Sequence, residues 1–154
     1  MRKIKYYIET SVFNFVFVDD DITKKEITER FFKEWEGING VMYISETVID
    51  EVNRAPEPRR SQIFDIIRQF KPNLLYIDSE VTELAEKYVS EGIIPQKYED
   101  DARHIAITVI NELDVIVSWN LEHIVKLKTR TKVNGLNKLL GYREIEISTP
   151  EEVL

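Results

Sequence analysis

Three acids and an amide stand out by where they fall: Glu9 in "YYIETSVFN", Glu51 in "ETVIDEVNR", Asp101 in "DDARHIAI" and Asn120 in "DVIVSWN". Glu9 directly follows an apolar run and precedes two hydroxyls, Thr10 and Ser11. Asn120 follows another such run, with Ser118 two residues before it. Carboxylates brought close together repel, so one or more takes up a proton unless a cation neutralises them. A hard divalent ion such as Mg²⁺ or Mn²⁺, which prefers oxygen ligands, removes that cost. Such a site activates water and neutralises charge on a phosphodiester, in its fullest version with two ions roughly 3.5–4 Å apart.

The elements that must position these residues are short strands alternating with helices. Residues 4–8 form an apolar strand, 41–44 ("VMYI") a second, 74–77 ("LLYI") a third, 114–117 ("DVIV") the clearest buried one, and 144–147 ("EIEI") an edge strand. Between them, Ile27, Phe31, Trp35 and Ile38 recur at helical spacing, with Thr23 and Glu26 as a capping box. Ser45 caps a helix carrying Val48, Ile49 and Val52, and Ile63, Ile66, Ile67 and Phe70 mark the next, beyond Pro56 and Pro58. A further helix runs from Ser79 as cap to Gly92 as stop. The strongest pattern is Ala102, Ile105, Ala106, Val109, Ile110 and Leu113, an unbroken apolar stripe that Asp100 caps. A long helical region then reaches about Leu140, and Thr149, Pro150 and Glu152 start a last small helix.

This alternation predicts an α/β domain with a mostly parallel sheet covered on both faces, and a single domain over residues 1–154. In such sheets functional groups gather at the carboxyl ends of the strands. Glu9 lies at that edge.

Composition removes many alternatives. The chain has no Cys, which excludes disulfides, thiolate metal sites and cysteine nucleophiles and suits a reducing cytoplasm. The N-terminal stretch is interrupted by Glu9, Thr10, Ser11 and Asn14 without a small-residue cleavage site, and no run approaches the roughly 20 apolar residues of a membrane span. A soluble cytoplasmic protein is expected. Neither G-x-G-x-x-G nor G-x-x-x-x-G-K-[ST] occurs, nor a serine nucleophile elbow, nor the D-x-D-x-T element of a small-phosphate-ester hydrolase after the first strand.

The net charge of −7 argues against a nucleic-acid partner. Its distribution does not, because between Glu122 and Glu144 there is no acid, while Lys126, Lys128, Arg130, Lys132, Lys138 and Arg143 are all cationic. Such a face attracts phosphates. Arg54, Arg59 and Arg60 form a second candidate contact.

Each residue also has a plainer reading. Glu9 would favour a helix dipole, Asn120 and the two serines are ordinary caps, and Glu51 competes with Glu46 and Asp50 on one short helix. A lone imidazole such as His104 or His123 is more often packed or on the surface than catalytic, and neither is assigned a catalytic role. Trp35 falls in an apolar stripe and belongs to the core, whereas Trp119, beside a strand end, fits core or base stacking equally well.

In order and spacing, "YIETSVFN", "ISETVIDEVNR", "DDARHIAI" and "IVSWNLEHI" resemble the motifs of the PIN-domain ribonucleases, particularly VapC-type toxins of toxin–antitoxin pairs, over nearly the whole chain. The resemblance implies a three-layer α/β/α sandwich with a mostly parallel sheet of four or five strands. It also implies a metal-dependent endoribonuclease using Mg²⁺ or Mn²⁺. Carried over residue by residue, the catalytic positions are Glu9, Glu51, Asp101 and Asn120. Glu9, Glu51 and Asp101 are the implied metal ligands, with Ser11 and Ser118 supporting them. An antitoxin and a homodimer are the implied partners, besides an RNA substrate; Lys126, Lys128, Arg130 and Lys132 of the acid-free cationic stretch are the candidate RNA contacts. Two departures matter: the first acid is usually Asp and here is Glu9, and the fourth position holds the neutral Asn120. Less charge is then available for a second metal. The contrasting expectation is a degenerate PIN-like module that binds protein or RNA without cleaving it.

Overall fold

A computed structural model describes residues 2–154 and contains one five-stranded sheet, in which all neighbouring strands are parallel, flanked by helices. The strands are β1 (Ile4–Ile8), β2 (Gly40–Ser45), β3 (Asn73–Leu75), β4 (Val115–Val117) and β5 (Glu146–Ser148), in the order β3-β2-β1-β4-β5. The helices are α1 (Thr10–Asn14), α2 (Ile22–Lys33), α3 (Glu46–Asn53), α4 (Arg59–Phe70), α5 (Ser79–Ser90), α6 (Glu99–Ile110), α7 (Leu127–Leu139) and α8 (Pro150–Val153).

The chain steps outward from β1 to β3, then crosses back through α5 and α6, which pack on each other, to lay β4 along the free side of β1. The strand order therefore reverses between β1 and β4. Loops leaving these strands diverge there and open a crevice at their carboxyl ends.

Why both faces are covered is legible in β1. Successive strand side chains point to opposite faces. The Tyr6 ring lies 5.6 Å from Trp35 in the 3₁₀ turn that follows α2, and the Tyr7 ring 5.6 Å from His104 on α6, so helical segments stand on both sides. Tyr6, Tyr7 and Ile8 are all buried. Each large side chain removed from water in this way contributes roughly 1.5–3 kcal/mol. The close approach of Tyr6 also explains Gly40 at the start of β2, where a Cβ would fall 2.6 Å from the Tyr6 ring.

Several expected boundaries move. α1 was not expected, being a single short helix whose N-cap is Glu9. The cap of α2 is Asp21, which accepts from Lys24 N–H, so the Thr23–Glu26 box does not form; Asp21 stands just before the helix, where it serves a first free N–H, whereas Thr23 lies within it. Trp35 lies beyond α2 in a 3₁₀ turn, half-buried against Tyr6 and Phe31. Asp78, not Ser79, caps α5. Gly92 takes φ of 74° just beyond α5, as a helix stop requires. β3 and β5 are one to two residues out of the expected frame, and turns, not helix, fill residues 121–126. Ser45 caps α3, and the Thr149–Glu152 capping box forms as expected. No helix among the described residues is long and apolar enough to cross a membrane.

Candidate active site

At the reversal point of the sheet, four segments distant in sequence meet. Glu9 ends β1, Glu51 sits on α3, Asp101 in the first turn of α6, and Asn120 just past β4. All four line one open cleft of about 410 Å³, together with Thr10, Ser11, Phe15 and Trp119.

Glu9 is 4% exposed and densely hydrogen-bonded. Its Oε1 accepts from the hydroxyls of Ser11 (2.6 Å) and Ser118 (2.5 Å), and its Oε2 from Ser11 N–H (3.1 Å). Ser11 Oγ also accepts from Trp119 N–H at 2.8 Å, and Ser118 Oγ from Asn120 N–H at 2.9 Å. The two serines thus stitch the β1 and β4 loops together around one carboxylate. Both supporting residues meet Glu9.

Glu51 is the acid of its helix that reaches the cleft. Glu46, its competitor, is engaged elsewhere, accepting from Ile77 N–H at 2.7 Å. Glu51 Oε1 takes the Thr10 hydroxyl at 2.8 Å and also bonds Nε2 of His104. His104 is completely buried, with Nδ1 2.6 Å from the Tyr7 hydroxyl, which in turn lies 2.7 Å from Ser45 Oγ. His104 Nε2 is also 3.9 Å from Glu9 Oε2. Ligand atoms of Glu9, Glu51 and His104 all lie within 4.8 Å of one another.

These contacts move the acid–base properties in opposite directions at the two ends of the cleft. Burial works to raise the Glu51 carboxyl, but the hydrogen bond and charge of His104 hold it below its ordinary range. For His104, burial works to lower the imidazole, and the Glu51 bond with the Glu51 and Glu9 charges raises it above its usual value. Asp101 is pushed up to about 6, first by burial and then by the charge of Glu9. Its Oδ2 lies 3.1 Å from His123 Nδ1, and Asn120 Oδ1 accepts from His123 N–H at 2.9 Å. The His123 ring stacks on Tyr98, with centroids 4.1 Å apart.

Asp100 is not a cap. It lies within the first turn of α6 and pairs outward with Arg54 (3.0 Å) and Arg103 (2.7 Å), while Asp101 turns to the cleft. Trp119 is 7% exposed, with its indole N–H donating to Thr28 Oγ1 at 2.8 Å, so it packs as core. Lys128 and Lys132 are exposed on α7 and Lys126 is half-buried, whereas Arg130 donates to the Ile147 carbonyl.

A divalent oxygen-seeking cation fits this donor set. Three carboxylates and an amide line one cleft, and burial together with the nearby Glu9 charge raises Asp101 there. Glu51 Oε2 makes no hydrogen bond among the described residues. His104 is the residue that sequence reading missed. The available signal was the breadth of the buried face: Ile107 and Thr108 are uncharged next to the stripe, so an imidazole one turn before them lies inside and must have a partner.

No described protein family and no curated protein matches the sequence. Solved structures match in fold. One is a chain of VapBC2 from Rickettsia felis, a complex bound to a DNA fragment from its promoter, with 13% identity, 95% of this chain and 98% of that chain covered, and a TM-score of 0.56. Another is VapC20 of Mycobacterium tuberculosis, a sarcin-ricin loop cleaving toxin, with 13% identity, 77% and 92% covered, and a TM-score of 0.59. The fold is the PIN-like α/β/α sandwich of VapC-type proteins, with five parallel strands.

Proposed function

We propose that this chain is a divalent-metal-dependent endoribonuclease of VapC type, with Glu9, Glu51, Asp101 and Asn120 as its catalytic constellation. One observation carries the reading: these four residues, each from a different segment, line a single cleft at the reversal point of the sheet. Fold alone does not imply function, so the weight rests on that convergence. The fold likeness to VapC20, a sarcin-ricin loop cleaving toxin, supports RNA as substrate.

In this reading Glu51, Asp101 and Glu9 hold Mg²⁺ or Mn²⁺, which supplies charge neutralisation at the phosphodiester and a more acidic water. The chain's own residues do the positioning. Ser11 and Ser118 fix Glu9 by three donors, Thr10 and His104 fix Glu51, and His123 and Asn120 flank Asp101. No side chain serves as a covalent nucleophile. The exposed Lys128 and Lys132, with Lys126 and Arg130 beside them, attract the RNA backbone. An antitoxin partner, supported by the likeness to a VapBC2 chain, belongs to the same proposal, as do a homodimer, a cytoplasmic setting and the extent of residues 1–154 as one domain.

A second reading, a module that binds without cutting, draws on the bond between Glu51 and His104, which already engages one of the three carboxylates. One experiment separates them. Purified protein with Mn²⁺ should cut single-stranded RNA, stop on chelation, and lose activity in Asp101→Asn. RNA retained but uncut at every metal concentration would establish the binding module.

A further inference from the structure

The acidic cleft does not end at its carboxylates. Asn14, at the end of α1, and Ala55, just past α3, line it, and the same two residues line a second, larger hollow of about 680 Å³. The two hollows adjoin there. The larger runs between the segment after α1, with Phe17 and Asp19, and the start of α4, with Glu57 and Arg59. It accepts a ligand as large as a nucleotide, since sites for such molecules measure roughly 300–1,000 Å³.

The sequence places three arginines in this region, and the structure separates them. Arg54 pairs with Asp100 at 3.0 Å and Arg60 with Glu57 at 2.9 Å. Lys25, the other cation of the groove, lies 3.3 Å from Asp19. Arg59 makes no ion pair among the described residues. Neutral groups hold its guanidinium in place: Nη2 donates to the Phe17 carbonyl at 3.3 Å, and the guanidinium carbon stands 5.8 Å from the centre of the Phe17 ring. Both acids of the groove are already engaged, Asp19 by Lys25 and Glu57 by Arg60 and the Ser61 hydroxyl. One positive charge is thus left over, on a planar group whose remaining donors suit a phosphate. Its position also matters. Helix α4 leads into β3 at one edge of the sheet, whereas the lysine-bearing α7 leads into β5 at the other. A strand with its scissile phosphate in the cleft leaves it in two directions; the α7 cations stand on one of them and Arg59 on the other.

We propose that the RNA strand leaves the cleft along the groove between α1 and α4, where Arg59 binds the backbone phosphate of a nucleotide beyond the scissile one. This rests on the reading of the cleft as an RNA-cleaving site. Arg59 takes no part in the chemistry. Its contact is the same in the ground state and the transition state, so losing it raises KM and leaves kcat unchanged.

The test is binding of a fluorescently labelled single-stranded RNA to the full-length protein in chelator, over a series of salt concentrations, together with cleavage in Mn²⁺. Arg59→Gln should weaken binding about tenfold, as the loss of one hydrogen bond to a charged group does, and lower the salt slope by about 0.7. Cleavage at subsaturating RNA should fall by the same factor while the saturated rate holds. Arg59→Lys keeps the charge and should keep the slope. If Arg59 only propped the Phe17 segment, Gln and Lys would both lower Tm and both leave the slope unchanged, which would overturn the proposal. Gln62→Glu, an exposed position of the same groove, keeps the question decidable if Arg59→Gln does not fold. It should weaken binding, whereas Arg68→Gln, the same change of charge toward the far end of α4, should not; equal effects of the two would overturn the proposal. Unchanged binding in Arg59→Gln, with wild type still cutting RNA, would overturn the path and leave the nuclease reading intact. RNA bound through Arg59 but never cut would refute the nuclease reading and retain the groove. RNA neither bound nor cut by wild type would remove both.

Discussion

The two ends of the cleft solve the problem of buried charge differently. At the inner end, Glu51 meets a completely buried His104, backed by Tyr7 and Ser45, and its carboxyl is held below the ordinary range. At the outer end Asp101 has His123 at 3.1 Å yet is pushed up to about 6 by burial and by Glu9. The inner carboxylate is held by the protein's own donors; the outer one, desolvated and beside Glu9, is pushed toward its protonated form. A ligand that brings positive charge gains most at Asp101, while a change that removes a donor costs most at Glu51.

The largest effect expected from this contrast is on cleavage. Asp101→Asn should lower the Mn²⁺-dependent rate by about three orders of magnitude, because the ion's charge stabilisation is worth several kcal/mol and ~4 kcal/mol corresponds to about a thousandfold. Single-turnover cleavage at saturating RNA measures it. A comparable loss from the half-buried Asp100, turned outward to Arg54 and Arg103, would break the distinction between the adjacent acids.

Next comes the pH dependence of metal-free stability. The folded-state value of Asp101 lies above that of an unfolded aspartate, so folding favours the protonated form. Its stabilising contribution is full below about pH 4 and is lost as pH rises through about 6, by up to about 3 kcal/mol at ~1.4 kcal/mol per unit. The lowered Glu51 acts below this window and the raised His104 above it. Urea titrations between pH 4 and 7 with a chelator should therefore show Asp101→Asn overtaking wild type as pH rises. Parallel curves would mean that burial and Glu9 do not favour the protonated form of Asp101.

The inner end should respond with the opposite sign. His104→Ala leaves Glu51 and Tyr7 without their partner; breaking a buried pair costs roughly 3–5 kcal/mol, and about 2–3 is expected here because the Glu51 side chain is 26% exposed. For a chain of this size that lowers Tm by roughly 4–12 °C, measurable by calorimetry. If Asp101→Asn and His104→Ala shift Tm in the same direction at pH 7, the two ends are not differentiated as described.

The smallest effect lies outside the pocket. Replacing Lys126, Lys128 and Lys132 together by Gln should leave saturated cleavage unchanged while flattening the salt dependence of RNA binding. The slope should fall by up to about 2, at ~0.7 per phosphate contact on a single strand. An unchanged slope would mean that RNA avoids α7.

Much of the arrangement was readable before the coordinates. Apolar runs of a few residues set between helical stripes predicted the parallel α/β order, and the charge at the end of residues 4–8 marked the carboxyl edge on which Glu9 is found. Boundaries were less legible where several capping residues stood in a row. Asp21 outcompeted Thr23, and Asp78 outcompeted Ser79, because the cap is decided by which side chain reaches a free N–H. Glu51 could not be separated from Glu46 and Asp50 by local pattern; only the family resemblance favoured it, and the structure distinguishes it by the contacts of Thr10 and His104. His104 read as an ordinary packed residue because its partners lie 53 and 97 positions away.

What the amino-acid order alone determined was the set of elements and the strand ends at which acids and amides stand, since periodicity and turn chemistry act over a few residues. What only the tertiary structure decided was which acid is held by buried donors and which is pushed toward protonation. That depends on burial and on donors from β1, α3, α6 and the β4 loop converging within hydrogen-bond reach, and electrostatic interactions of that strength exist only after the sheet has brought those segments together.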